Sequence, residues 1–148
     1  MVLSEENCES KINALEYRDW QPLLALIPRI ETSSSFSEWD GGEQGDDGAF
    51  QPPYCVMAPV VCEFEDLVYG IPIAICFSWA KWDKGRGIPS DKDFDFDSID
   101  LVEKCKLITA IVRNDRFCDG ALVSAFASGL ILKILKSIEK QVRAKSTE

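Results

Sequence analysis

An all-α, multi-helix single domain is the fold class this sequence predicts, and three observations carry that expectation. Apolar residues recur at three- and four-residue spacing through 59–71, 99–112 and 121–142, which is the period of one helical face. The 148 residues suit one ordinary domain, and 46% hydrophobic with 28% charged residues is a globular composition, enough to bury about two-thirds of the unfolded surface. Finally, Gly- and Pro-rich segments punctuate the periodic stretches where helices must stop.

Taken in order, Ser4 followed by Glu5 and Glu6 forms an N-cap, and Ile12 and Leu15 continue a short helix towards Tyr17. Asp19 is placed to cap a second helix with Trp20 first, Pro22 in its first turn, and Leu23, Leu26, Ile27 and Ile30 on one face. Pro28 is expected to kink or end it. Residues 31–55 are rich in serine, glycine and acid and read as a long loop. Its aromatics Phe36, Trp39, Phe50 and Tyr54 suggest an excursion packed on the body, with a lid as the sharper alternative. Pro59 then opens a helix bearing Val60, Val61, Phe64, Leu67, Val68 and Ile71 on one face. Ile73–Trp82 reads as a further helix, with a short buried strand near 73–77 as the alternative because Ile73, Ile75 and Phe77 also alternate.

Asp97 or Ser98 is expected to cap the next helix, whose stripe is Leu101, Val102, Cys105, Ile108 and Val112, with Lys104 and Lys106 near its edge. The last helix is the clearest. Val123, Ala127, Leu130, Ile131, Ile134, Ile138 and Val142 share a face, and Ala121, Ala125 and Gly129 form a small-residue ridge that a neighbouring backbone could approach. Residues 143–148 are expected to fray.

Net charge is −9, distributed as −13 over residues 1–100 (7 Lys/Arg, 20 Asp/Glu) and +4 over 101–148 (9 and 5). The acidic body repels nucleic-acid phosphates, so binding of that kind would rest on Lys133, Lys136, Lys140, Arg143 and Lys145. Histidine is absent, which excludes Ser-His-Asp and Cys-His nucleophilic systems and the commonest transition-metal ligand. The six cysteines contain no CxxC pair and read as buried thiols in a reducing cytoplasm, disulfides being an option for a hyperthermophile. The N-terminus lacks the pattern of a signal peptide, and the uncharged run 67–80 is too short and too broken to span a bilayer. No cofactor is expected. The Asp91, Asp93, Asp95, Asp97 and Asp100 series fails as a calcium loop: Phe96 stands where glycine is required, and Val102 where the bidentate glutamate would be.

The strongest candidate site is the octapeptide Arg113–Gly120, which compresses two arginines, two aspartates, Phe117 and Gly120 between two helices. Arg113 and Arg116 at one end of a helix suit an anion, since arginine forks and helix N-terminal amides both favour one. The competing explanation is that both arginines bridge to carboxylates such as Asp115, Asp119, Asp83 or Asp66 and hold the corner. Trp79 and Trp82, sharing a face beside Asp83, could wall an adjoining pocket. Phe117 and Gly120 are read as structural turn residues, and Asp119 joins the candidate ligand set.

Trp39, Asp47-Gly48, Pro53-Tyr54, Phe64, Tyr69, Phe77-Ser78-Trp79, Trp82 and Leu107-Ile108-Thr109-Ala110 lead into Arg113, Arg116-Phe117 and Gly120. In this order they resemble a family of uncharacterised bacterial and archaeal proteins, a domain of unknown function, over residues 20–138. The Arg-x-x-Arg-Phe-x-x-Gly turn is its most specific element. Ser78 departs from the acid usual beside the first tryptophan. The resemblance implies a single helical domain and marks Arg113, Arg116 and Gly120, without assigning a reaction.

The function expected is that of a non-enzymatic helical accessory protein that self-associates or binds a protein partner. A small-molecule or phosphoester-handling protein with an arginine-lined anion site is the alternative, and weak nucleic-acid binding through the C-terminal helix is the third reading.

Overall fold

The structure, a computed structural model, describes residues 5–33, 35–40, 42, 44–45, 48–50, 54–71, 73–74, 93–115 and 120–146. It is mainly helical, with a short two-stranded sheet. In chain order the elements are α1 (Glu5–Ala14), α2 (Tyr17–Leu24), α3 (Leu26–Thr32), β1 (Ser37–Asp40), β2 (Tyr54–Met57) and α4 (Pro59–Gly70). A 3₁₀ turn (Phe96–Ser98), α5 (Leu101–Asn114), α6 (Ala121–Ala127) and α7 (Leu130–Ser146) complete it. Most of the expected helix or strand over 73–82 lies outside the described residues.

Helix α7 is the axis, packing against α2, α3, α5, α6 and the 3₁₀ turn. Ile131, Ile134 and Ile138 are fully buried and Val142 nearly so, as their spacing predicts. The 121–142 periodicity nevertheless does not form one helix. Gly129 has φ +84, a left-handed conformation that terminates a helix and suits glycine, and α6 and α7 meet at 69°. The bend leaves Ala127 exposed and turns Leu122, Ala125 and Phe126 inward instead. A Cβ at Gly129 would meet no atom within 4 Å, so the expected ridge does not include a close approach there. Gly129→Ala should therefore cost only backbone strain, about 1–2 kcal/mol, measurable as a shift in urea midpoint without a change in slope.

One proline sits differently from expectation. Glu16, rather than Asp19, caps α2: the side chains of Glu16 and Asp19 form a reciprocal capping box, with the Glu16 N–H donating to Asp19 Oδ2 at 2.9 Å. That start moves Pro22 into the second turn, and α2 ends at Leu24. Pro28 has no N–H for the Leu24 carbonyl, and the helical run breaks there as expected: α2 ends at Leu24 and α3 restarts at Leu26 with Pro28 as its third residue, where the missing N–H is harmless. The stretch 31–55 is not wholly irregular either: β1 and β2 pair antiparallel, with Ser37 opposite Met57 and Asp40 opposite Tyr54. Towards the C-terminus, α7 runs to Ser146.

Candidate functional site

At the charged corner the structure describes Arg113, Asn114, Asp115 and Gly120. Arg113 closes the last turn of α5 half-buried and forms no ion pair among the described residues. Asp115 Oδ1 accepts the Leu122 N–H at 3.0 Å, so one carboxylate of the turn is engaged in holding the start of α6. Gly120, at φ +91, is the residue before that helix. Arg116, Phe117 and Asp119 lie outside the described residues, as do Trp79, Trp82 and Asp83. A cavity of about 310 Å³ beside the corner is lined by Ile111, Asn114, Ala121, Ser124, Ala125, Ser128 and Leu130. Arg113 is not among its walls.

A larger concavity than the one at the corner lies at the opposite end of α5. Asn13, Ala14, Leu15, Glu16, Tyr17, Arg18 and Trp20 from the α1–α2 junction face Leu101 and Val142 across a groove of about 520 Å³. The volume falls within the range of small-molecule sites, and the mixture of apolar walls with a few polar groups is of the same kind. Trp20 is fully buried, and its indole Nε1–H has no hydrogen-bond partner among the described residues. Leaving a buried donor unmade costs about 1–3 kcal/mol. Arg18 on the rim pairs with Glu16 at 3.0 Å.

A polar cluster borders the groove through shared lining. A neighbouring cavity of about 360 Å³ has Asn13, Leu101 and Val142 in common with it and adds Asp100 and Gln141. Gln141 in turn borders a third cavity, of about 270 Å³, with Asp97, Lys104, Ser137 and Lys140. Lys104 is 1% exposed and donates from Nζ to Gln141 Oε1 at 2.7 Å. Burial pushes its ammonium below the usual lysine range, partly opposed by Asp97 and Asp100. Asp97 accepts from Ser137 Oγ at 2.6 Å and from Lys140 Nζ at 3.0 Å. The Ser137 hydroxyl, then Lys140, hold its carboxyl below the ordinary value. Asp97 is thus not the cap of α5. Asp100 is, its Oδ1 accepting the Glu103 N–H at 2.8 Å.

Acid stability follows from the direction of the Asp97 shift. A carboxyl with a lowered folded pKa contributes stability that is present above the unfolded value of 3.8 and is lost as pH falls through the lower folded value. Asp97→Asn should flatten the stability curve below about pH 4 relative to wild type, read by circular dichroism in acid. Identical acid limbs would contradict the role given to this contact.

The cationic stripe on α7 is partly engaged within the fold. Lys136 pairs with Glu31 at 3.5 Å, Lys140 with Asp97 at 3.0 Å and Arg143 with Glu139 at 3.8 Å. Lys133 is exposed, and the Lys145 side chain lies outside the described ones. Cys105 is buried and Cys62 exposed, both as free thiols; burial raises the Cys105 thiol far above its ordinary range.

Sequence reasoning did not assemble the groove or the polar cluster. A signal for the cluster was present: Lys104 falls in the Leu101, Cys105, Ile108 stripe, and Ser137 and Gln141 adjoin Ile138 and Val142 on α7. Polar residues at core positions of two helices must find one another.

Fold and cavities together define a small helical domain with a ligand-sized groove at the junction of its first helices. The chain belongs to a family of unknown function, DUF6508, matched over residues 15–144. No curated protein and no solved structure matches it. Among the described residues no single helix is long and apolar enough to cross a membrane; the bent pair α6–α7 passes on length and composition together, and its apolar face is the core described above.

Proposed function

We propose that the protein is a non-enzymatic helical binding domain and that the groove at the α1–α2 junction holds its ligand. The observation that carries this reading is a largely apolar groove of about 520 Å³ at the α1–α2 junction, with Leu15, Tyr17, Leu101 and Val142 among its walls. Ala14 is exposed at the groove's edge, so Ala14→Arg would obstruct the groove without disturbing the core. In a fragment screen by thermal shift, binders should raise the melting temperature of wild type and lose that effect on the variant. Fragments that stabilise both proteins equally, or none that stabilise wild type, would count against the site.

Self-association is the second reading, favoured by the exposed Phe50, Val56 and Tyr69 at 64%, 43% and 44%. Light scattering across a dilution series should show a dimer that Phe50→Ser with Val56→Thr weakens. A monomer at every concentration would remove this reading. Cys62 and Cys105 as free thiols support placing either activity in the reducing cytoplasm. The anion reading rests on Arg113, and loss of phosphate-induced stabilisation in Arg113→Ala is the result that would sustain it.

A further inference from the structure

We infer that the protein forms a homodimer in which the acidic β1–β2 ribbon of each copy docks on the cationic outer face of α7 in the other. This inference rests on the self-association reading above and names the two surfaces that meet. The ribbon is short of packing partners. Its strands pair with each other, Gln44 opposite Phe50 keeps the same register further out, and the two strands pack chiefly on one another. Half-buried Phe36 and Met57 anchor its base on the core, whereas every described residue from 42 to 50 is exposed. A two-stranded ribbon is marginal alone in water and gains stability from a surface to lie on.

Charge selects that surface. From Ile30 to Ala80 the sequence carries acidic residues but no lysine or arginine, and β1 contributes exposed Glu38 and, two residues on, Asp40. A second ribbon would therefore repel it. On α7, Lys133, Lys136, Lys140 and Arg143 are all exposed and follow at three- and four-residue spacing, which sets them along one helical face about 15 Å long. Half-buried Leu132 and the lysine stems offer apolar surface to Phe50, and the ammonium groups a cation for its ring. Position agrees with charge. The Lys136–Glu31 pair at 3.5 Å sets this face next to the segment leading into β1, so ribbon and stripe occupy adjacent parts of the surface. That pair joins two exposed side chains and is worth little. A twofold axis beside the two surfaces brings each ribbon onto the other copy's stripe in two identical contacts.

The test is sedimentation velocity on the full chain over a range of protein and salt concentrations. Wild type should dimerise, and more weakly as salt rises. Glu38→Lys with Asp40→Lys, and separately Lys133→Glu with Lys136→Glu, should each weaken the dimer about tenfold or more, because like charges then face each other. Circular dichroism checks that both variants fold. An equimolar mixture of the two should restore a dimer containing one of each, since both of its contacts again join opposite charges. A mixture that stays monomeric while wild type dimerises would overturn the docking mode and leave self-association standing. So would a dimer indifferent to salt, or either variant dimerising like wild type. A wild type monomeric at every concentration would overturn both, and its retention of duplex DNA through Lys133 and Lys136 would give the stripe to nucleic acid instead.

Discussion

Phe126→Ala should cost about 3–5 kcal/mol, the range for truncating a buried phenylalanine, and lower the melting temperature by roughly 10 °C at this chain length. Phe126 is 2% exposed and stands between two other rings, 5.4 Å from Phe36 and 5.2 Å edge-on from Phe64. These contacts tie α6 to α4 and to the segment leading into β1. Truncation would open a cavity and remove two aromatic pairs at once. Phe126→Leu keeps most of the volume and should cost less than half as much. Equal costs for the two variants, measured by urea denaturation, would show that volume at this point is not what holds the corner.

Gln141→Leu should destabilise the protein by about 1.5–3 kcal/mol, the worth of a hydrogen bond to a charged group, because it leaves the Lys104 ammonium without its acceptor. The reverse change is expected to be milder. Lys104→Met replaces a 1% exposed lysine with an apolar chain of similar length, and half-buried Gln141 can turn to water. The double variant should recover most of the stability lost in Gln141→Leu, since removing both polar partners is far less costly than removing one. The sign with pH is also fixed. The folded pKa of Lys104 lies below its ordinary value of 10.5, so the burial penalty on the ammonium acts below the folded pKa. It fades as pH rises towards 10.5. Wild type should therefore gain stability relative to Lys104→Met through that alkaline window. Additive single-variant costs would contradict the pairing.

The helices most legible in the sequence are those in which a start signal and an apolar face coincide. Pro59 and the Val60, Val61, Phe64, Val68 face mark α4 because a proline is harmless at the first position and every apolar residue there has one direction in which to be buried. The bend at Gly129 was hidden because apolar spacing continues through it, and a glycine in a helical pattern does not reveal whether it is left-handed. Asp97 and Asp100 are both suitable caps by composition. Only the arrival of Ser137 and Lys140 from α7 decides that Asp97 is used elsewhere. The groove was least legible, since Ala14 and Trp20 meet Leu101 and Val142 through tertiary packing that no local pattern encodes. The charged turn was visible from its residues, yet of the candidate ligand side chains there the structure describes Arg113 alone.

The proposal that the groove at the α1–α2 junction is a ligand site is tested most directly by two-dimensional NMR of methyl and indole N–H groups during titration with thermal-shift hits. The chain has four tryptophans, and Trp20→Phe identifies the relevant signal by its disappearance. On binding, methyl signals of Leu101 and Val142 should shift, and the resonance of the Trp20 indole, which adjoins the groove, should shift with them. A Trp20 signal that stays in place while the ligand shifts the other indoles would contradict the account.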